Sequence, residues 1–261
     1  MPALRLCALI CGVLAWGWGS ASNAAHPHAL WRVVHGLCVT DKRLSGSPAP
    51  CMAVNLAKGW AVVSDPQHAT QVLLVPTSRI SGIESERLQS AEGPNYWQYA
   101  WDARRFFEKR VGGAVRRDQI GMAINSVEAR SQDQLHIHID CVQPSVREAL
   151  KANEDEIASR WAGLSFDLMG HHYQGRWVDG ADLGEQNPFR FLADRRSIST
   201  GDMGSQTLAV IAMDRSNGSP GFVLLSARSG DPGNPVAAAE ELLDHECRSL
   251  ASPLKGVANA G

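Results

Sequence analysis

The sequence predicts an α+β protein built on a mainly antiparallel sheet with flanking helices, and three observations carry that expectation. Short β-rich runs come in pairs joined by turn residues: 59–64 and 71–76 around Asp65-Pro66, and 206–213 and 221–226 around Asn217-Gly218. The stretch 94–110 places Trp97, Ala100, Trp101 and Phe107 at helical spacing, the pattern of a core-facing helix. Hydrophobic content of 44%, charged content of 20% and the absence of any low-complexity run exclude a disordered, collagenous or coiled-coil chain.

The chain of 261 residues opens with a segment that stands apart from the fold. Arg5 is the one charge before residue 25, the run 6–21 is apolar and small, and Ser20-Ala21-Ser22-Asn23-Ala24 supplies small residues for a cut. Residues 1–24 are therefore expected to be an export signal. An uncleaved membrane anchor is the alternative, since a bilayer span needs about 20 apolar residues. Residues 25–250 are expected to form one domain, with halves at about 31–160 and 161–250 that share an order of elements, and 251–261 a disordered tail. Without Arg5 the balance is 24 basic to 27 acidic residues, a net of −3, so nucleic acid is not expected as a partner. Any anionic ligand must be held locally.

Cys7 and Cys11 fall in the leading segment, which leaves Cys38, Cys51, Cys141 and Cys247. An even set in an exported chain reads as disulfides, with three connectivities open. Cys38 and Cys51 bracket the turn-rich Ser45-Gly46-Ser47-Pro48-Ala49-Pro50, which suits a local clip contributing about 3 kcal/mol in the chain-entropy account. Cys141 and Cys247 then pair by elimination. Zinc held by these cysteines lacks the close spacing of a zinc ribbon.

Within the first half, the runs 59–64 and 71–76 are expected to form a hairpin, 94–110 a helix ended by Gly112-Gly113, and 120–126 with 134–141 a second strand pair. Pro144 opens a charged helix expected to reach about residue 160. The second half is expected to run strand (171–178), helix (188–195), the hairpin around Asn217-Gly218, and a last helix over 236–250.

The segment 131–141 carries the chemistry. Side chains alternate across a strand, so Leu135, Ile137 and Ile139 share one face while Gln134, His136, His138 and Asp140 share the other. Two imidazoles two residues apart can act on one ligand, one attacking while the other orients or donates. A solvated strand face gives the same alternation. A zinc site is a further reading of His136, His138 and Asp140, with His171, His172 or His245 as an added ligand.

Residues 125–140 resemble the histidine-triad superfamily, with two alternating histidines in place of three. Leu74-Val75-Pro76-Thr77-Ser78-Arg79-Ile80, Ala123-Ile124-Asn125-Ser126, His136-Ile137-His138 and the four cysteines, behind an exported start, resemble the bacterial CDP-diacylglycerol pyrophosphatases over about 31–250. The resemblance implies a histidine-triad-like fold and an exported hydrolase, periplasmic or facing the periplasm from the inner membrane. It would work at a membrane surface, splitting the diphosphate of CDP-diacylglycerol into CMP and phosphatidate through a nucleotidyl-histidine, with no cofactor. An extracytoplasmic protein that binds nucleotides or phospholipid head groups without turnover is the rival. By the same resemblance Asn125 and Gln132 hold ribose or phosphate, Arg79 offsets diphosphate charge and Asp140 orients. The superfamily's asparagine precedes the nucleophile by thirteen positions, which from Asn125 gives His138 as nucleophile and His136 as its neighbour. If Gln134 stands for the first histidine, the nucleophile is His136.

Overall fold

The structure, a computed structural model, describes residues 26–90, 92–195, 200–248 and 250. The expected export segment and tail lie outside the described residues. Among those described, no helix is long and apolar enough to cross a membrane.

Among the described residues ten strands form one antiparallel sheet: β1 (Ala53–Asn55), β2 (Trp60–Ser64), β3 (Val72–Pro76), β4 (Ile120–Ile124), β5 (Ile137–Val142), β6 (Ala162–Gly163), β7 (Gln174–Asp179), β8 (Leu208–Asp214), β9 (Pro220–Ser226) and β10 (Leu243–Asp244). Nine lie in the order β1-β2-β3-β5-β4-β8-β9-β7-β6, and β10 extends the edge of β5 beyond β3. The α+β class and the antiparallel sheet are as the sequence predicts. The strand sets β2-β3-β5-β4 and β6-β7-β9-β8 follow one connection pattern and meet at the β4–β8 seam. Each set sends a helix from its second strand to its third: α3 (Tyr96–Val111) and α5 (Pro188–Ala193). β9, placed in the second set as β5 is in the first, carries no histidine.

Helix α3 begins where the Asn95 side chain accepts from the Gln98 amide and ends at Gly112, left-handed at φ 85°. Its buried face of Trp97, Ala100, Trp101 and Phe107 covers the sheet face of Val72, Leu74, Met122, Ile137, Ile139 and Val210. Trp97 meets Phe189 of α5 at 5.4 Å and Trp101 meets Phe222 of β9 edge-on at 5.1 Å, so both helices share this core. The opposite sheet face has two covers. α4 (Pro144–Ala152) and the segment 237–243 close over Ala123, Ala209 and Ile211. Helix α1 (Ala29–Trp31), a π-helical stretch (Arg32–Val39) and α2 (Thr40–Leu44) run continuously, and Val34 and Cys38 pack on Ala61, Leu73 and Val75.

Two helices differ from the sequence expectation. α4 stops at Ala152, not near residue 160, because the Asn153 side chain donates to the Ala149 carbonyl and Glu154 turns away to bind Lys151 and the Ser216 amide. The expected helix over 236–250 is a short 3-10 turn, Ala239–Leu242, followed by β10. Its alanine-rich composition favours a helix, but tertiary partners take the backbone: Ala237 accepts from the Ser126 amide, Ala239 donates to Thr207 Oγ1, and Leu242 accepts from the Gln143 amide.

The disulfides are Cys38–Cys51 and Cys141–Cys247, with Cα atoms 5.6 and 5.2 Å apart. The first clips the N-terminal helix to the loop before β1. The second ties the histidine strand to the chain just after β10. Cys141→Ser is therefore expected to lower activity several-fold more than Cys51→Ser at a temperature where both remain folded, as measured by initial rates beside circular dichroism melts.

Candidate active site

β5 lies between β3 and β4, with His138 opposite Leu73 on one side and Ala123 on the other. Strand alternation sends Ile137, Ile139 and Cys141 into the core under α3 and turns His136, His138 and Asp140 to the other face. The N-terminal helix covers β2–β3 on that face and the segment 237–243 covers β4–β8, and the three side chains are buried there. Gln134, wholly buried, donates its side-chain amide to the carbonyls of Pro76 and Ser78 and so fixes the entry to β5.

His136 stands 2.7 Å from the Gln134 carbonyl through Nδ1. A carbonyl only accepts, so Nδ1 carries the proton and Nε2 keeps its lone pair. No hydrogen bond occupies Nε2 among the described residues. Burial, assisted by the neighbouring His138, pushes the imidazole down to about 4, so the ring is neutral at ordinary pH. His138, its ring centroid 4.8 Å away and set edge-on, has Nδ1 3.0 Å from both Gln71 Oε1 and Glu240 Oε1. Its Nε2 is buried without a partner.

Glu240 is the hub. Its carboxylate accepts from Asn125 Nδ2 at 3.0 Å, Gln71 Nε2 at 3.2 Å and His138 Nδ1, and its amide donates to Asn125 Oδ1 at 3.1 Å. Burial would raise its pKa, but His138 and these donors hold the carboxyl well below the usual range. Behind it, fully buried Asp140 accepts from Thr70 Oγ1 at 2.8 Å and from His245 Nδ1 at 2.9 Å. Burial would lower the His245 pKa, yet the bond to Asp140 carries it above the ordinary value.

Of the residues singled out from sequence, His136, His138 and Asn125 come together. Asp140 joins them through His245 and does not touch the two histidines. Arg79 and Gln132 lie at the N-terminal helix: Gln132 Oε1 accepts from the Leu30 amide at 2.8 Å, and the Arg79 guanidinium stands 5.6 Å over Trp31 with Nη2 3.0 Å from His28. Sequence reasoning missed Glu240 and Gln71. Glu240 sits in a run that reads as helix, and Gln71 is one polar residue ahead of an apolar strand, so neither carried a local signal. The cation beside His136 is Arg130, which lines its small pocket with Ser81 and Gly82 and pairs with Glu84 at 2.7 Å and Asp133 at 3.1 Å.

His171 pairs with Glu241 and His172 with Asp167, away from β5. The zinc reading of His136, His138 and Asp140 therefore finds neither of these histidines as an added ligand. Among the described residues, His68, Glu240 and His245 have ligand atoms within 4.8 Å of one another. The two imidazoles stack at 3.9 Å and 24°, so their lone pairs run side by side instead of converging on an ion. Asp140, Cys141 and Cys247 also approach, but both cysteines are in the disulfide.

The depressed His136 pKa makes stability depend on pH with a definite sign. The folded state keeps neutral a ring that the unfolded chain protonates below about 6.5, so this contribution is present above 6.5 and lost as pH falls toward 4. His245, with its pKa raised, acts oppositely: its contribution is complete below 6.5 and fades as pH rises. Comparing His136→Gln with the parent separates them. Between pH 7 and pH 5 the parent is expected to lose about 2 kcal/mol more unfolding free energy than the variant in urea titrations.

The fold is an antiparallel α+β frame holding two buried imidazoles, each with Nδ1 committed, and comparison with known proteins shows the class to be a hydrolase. The sequence profile of the CDP-diacylglycerol pyrophosphatases matches residues 25–251, and the chain belongs to that family. It is 38% identical over 242 residues to the CDP-diacylglycerol pyrophosphatase of Yersinia pestis, covering 93% of this chain and 92% of that protein.

Proposed function

We propose that the protein hydrolyses the diphosphate of CDP-diacylglycerol, giving CMP and phosphatidate, through a nucleotide covalently held on histidine. Family membership supports the substrate. The single observation that supports the chemistry is the state of His136: neutral, its proton held on Nδ1 by a carbonyl, its Nε2 unoccupied. Spacing from Asn125 favours His138, but the Glu240 carboxylate on His138 Nδ1 suits that ring to the part of a base, and the neutral His136 with its unoccupied Nε2 is favoured as nucleophile. Its Nε2 attacks the cytidylyl phosphorus, the bond from phosphorus to the bridging oxygen breaks, and phosphatidate leaves with that oxygen. The ring becomes a cationic phosphoramidate whose Nδ1–H is held by the Gln134 carbonyl. Water then attacks the same phosphorus, losing its proton to His138 backed by Glu240, and CMP departs as His136 is regenerated.

Arg130 lines the pocket of the attacking ring, and Asn125 orients the Glu240 carboxylate. The repeated strand order and the histidine row support a histidine-triad-like fold. Two disulfides and the leading apolar segment support export, with action at the membrane where the lipid resides. Incubating the purified chain with CDP-diacylglycerol in mixed micelles should release CMP in step with phosphatidate. Stoichiometric binding with no CMP would instead support the binding-protein reading.

A further inference from the structure

We propose a second ligand site, for a phosphoryl oxyanion, in the cavity of about 330 Å³ at the end of the sheet where β7 and β8 begin and β9 ends. Arg195, Gln206, Gln174, Arg228, His172 and Asn234 are among its walls. Its donors outnumber its acceptors. Arg195 donates from Nη1 to Gln174 Oε1 at 2.8 Å and from Nη2 to Gln206 Oε1 at 3.4 Å, while its Nε is buried with no partner. It forms no ion pair among the described residues; Asp231, the carboxylate in the lining, is bound to Arg228 at 3.2 Å.

Gln206 adds the second observation. Its side chain is fully buried, and its amide nitrogen has no acceptor. Turning the amide over does not cure this, because a guanidinium can only donate and the oxygen must face Arg195; Ser226 Oγ also donates to that oxygen at 3.2 Å. A buried donor left unmade is costly, and two of them, one being Nε of a guanidinium that forms no ion pair among the described residues, suit an acceptor carrying negative charge. A tetrahedral phosphoryl group offers several oxygens to donors arriving from different walls. The site does not depend on which reaction the histidines perform. Thr207, next to Gln206, donates to the Ile124 carbonyl beside Asn125, and only β4 separates β8 from the histidine strand, so the cavity and His136 lie at one end of the sheet.

The test is equilibrium dialysis of the full chain against radiolabelled inorganic phosphate at low ionic strength, with unlabelled CMP as competitor in a parallel arm. Binding should persist in His136→Ala, weaken at least tenfold in Gln206→Glu, and weaken similarly in Arg195→Gln. Gln206→Glu keeps an acceptor for Arg195 and Ser226 and replaces the free donor by a repelling oxygen, so it should melt no lower than the parent. Competition by CMP that disappears in Gln206→Glu identifies a phosphomonoester as a ligand; phosphate binding without competition identifies the free ion. Failure of the parent to bind phosphate, or undiminished binding in both Gln206→Glu and Arg195→Gln, overturns the proposal.

Discussion

The His136→Ala protein, exposed to CDP-diacylglycerol labelled in the cytidylyl phosphate and quenched in alkali, is expected to carry no protein-bound label. Its turnover should fall by about 10⁴-fold, the scale of losing a covalent nucleophile while binding persists. The expectation rests on tautomer. With Nδ1 bound to the Gln134 carbonyl, Nε2 is the atom left to attack, and the depressed pKa keeps it unprotonated from mildly acidic pH upward. His138→Ala should still accumulate label, because the first displacement needs His136 alone, while release of CMP slows. Label that maps to His138 in the parent and vanishes in His138→Ala would reverse the two roles.

Glu240→Gln should lower kcat by roughly 10²- to 10³-fold with little change in KM. The substitution keeps an oxygen for the donors but removes the charge that pairs with His138 Nδ1, so His138 becomes a weaker acceptor of the water proton. Label should therefore build up on His136, since hydrolysis of the intermediate suffers more than its formation. A rise in KM at constant kcat would instead assign Glu240 to substrate binding. Glu240→Ala removes the oxygens that Asn125 and Gln71 now reach, so lost stability should accompany lost turnover.

The strand pairs and the helix over Tyr96–Val111 were legible because each is set by local pattern: alternation over 120–124 and 137–142, a helical stripe with Gly112 behind it, an Asn-Gly turn before β9. The histidine row was legible for the same reason, since parity alone separates His136 and His138 from Ile137 and Ile139. Pairing of Cys141 with Cys247 was reachable by elimination once the leading cysteines were set aside. What holds the histidines was not legible. Gln71, Asn125 and Glu240 meet only through the sheet order β3-β5-β4 and the crossing of the segment 237–243, none of which has a short-range signature. Gln132 sits four positions before His136 and Arg79 just after β3, yet their polar groups meet the N-terminal helix, a contact that composition does not foretell.

The bond from Asn125 to Glu240 spans 115 positions and that from Asp140 to His245 spans 105, and this gives the enzyme an order of assembly. A chain made or threaded from its first residue carries both histidines long before their carboxylate arrives. Until the stretch around Glu240 lies down beside β4, His138 lacks its carboxylate partner. The last strand laid, β10, closes the edge of the histidine strand, and Cys247 then seals that closure by a covalent bond to Cys141. The contacts that hold the histidine row are thus complete only when the segment carrying Glu240 and His245 is in place.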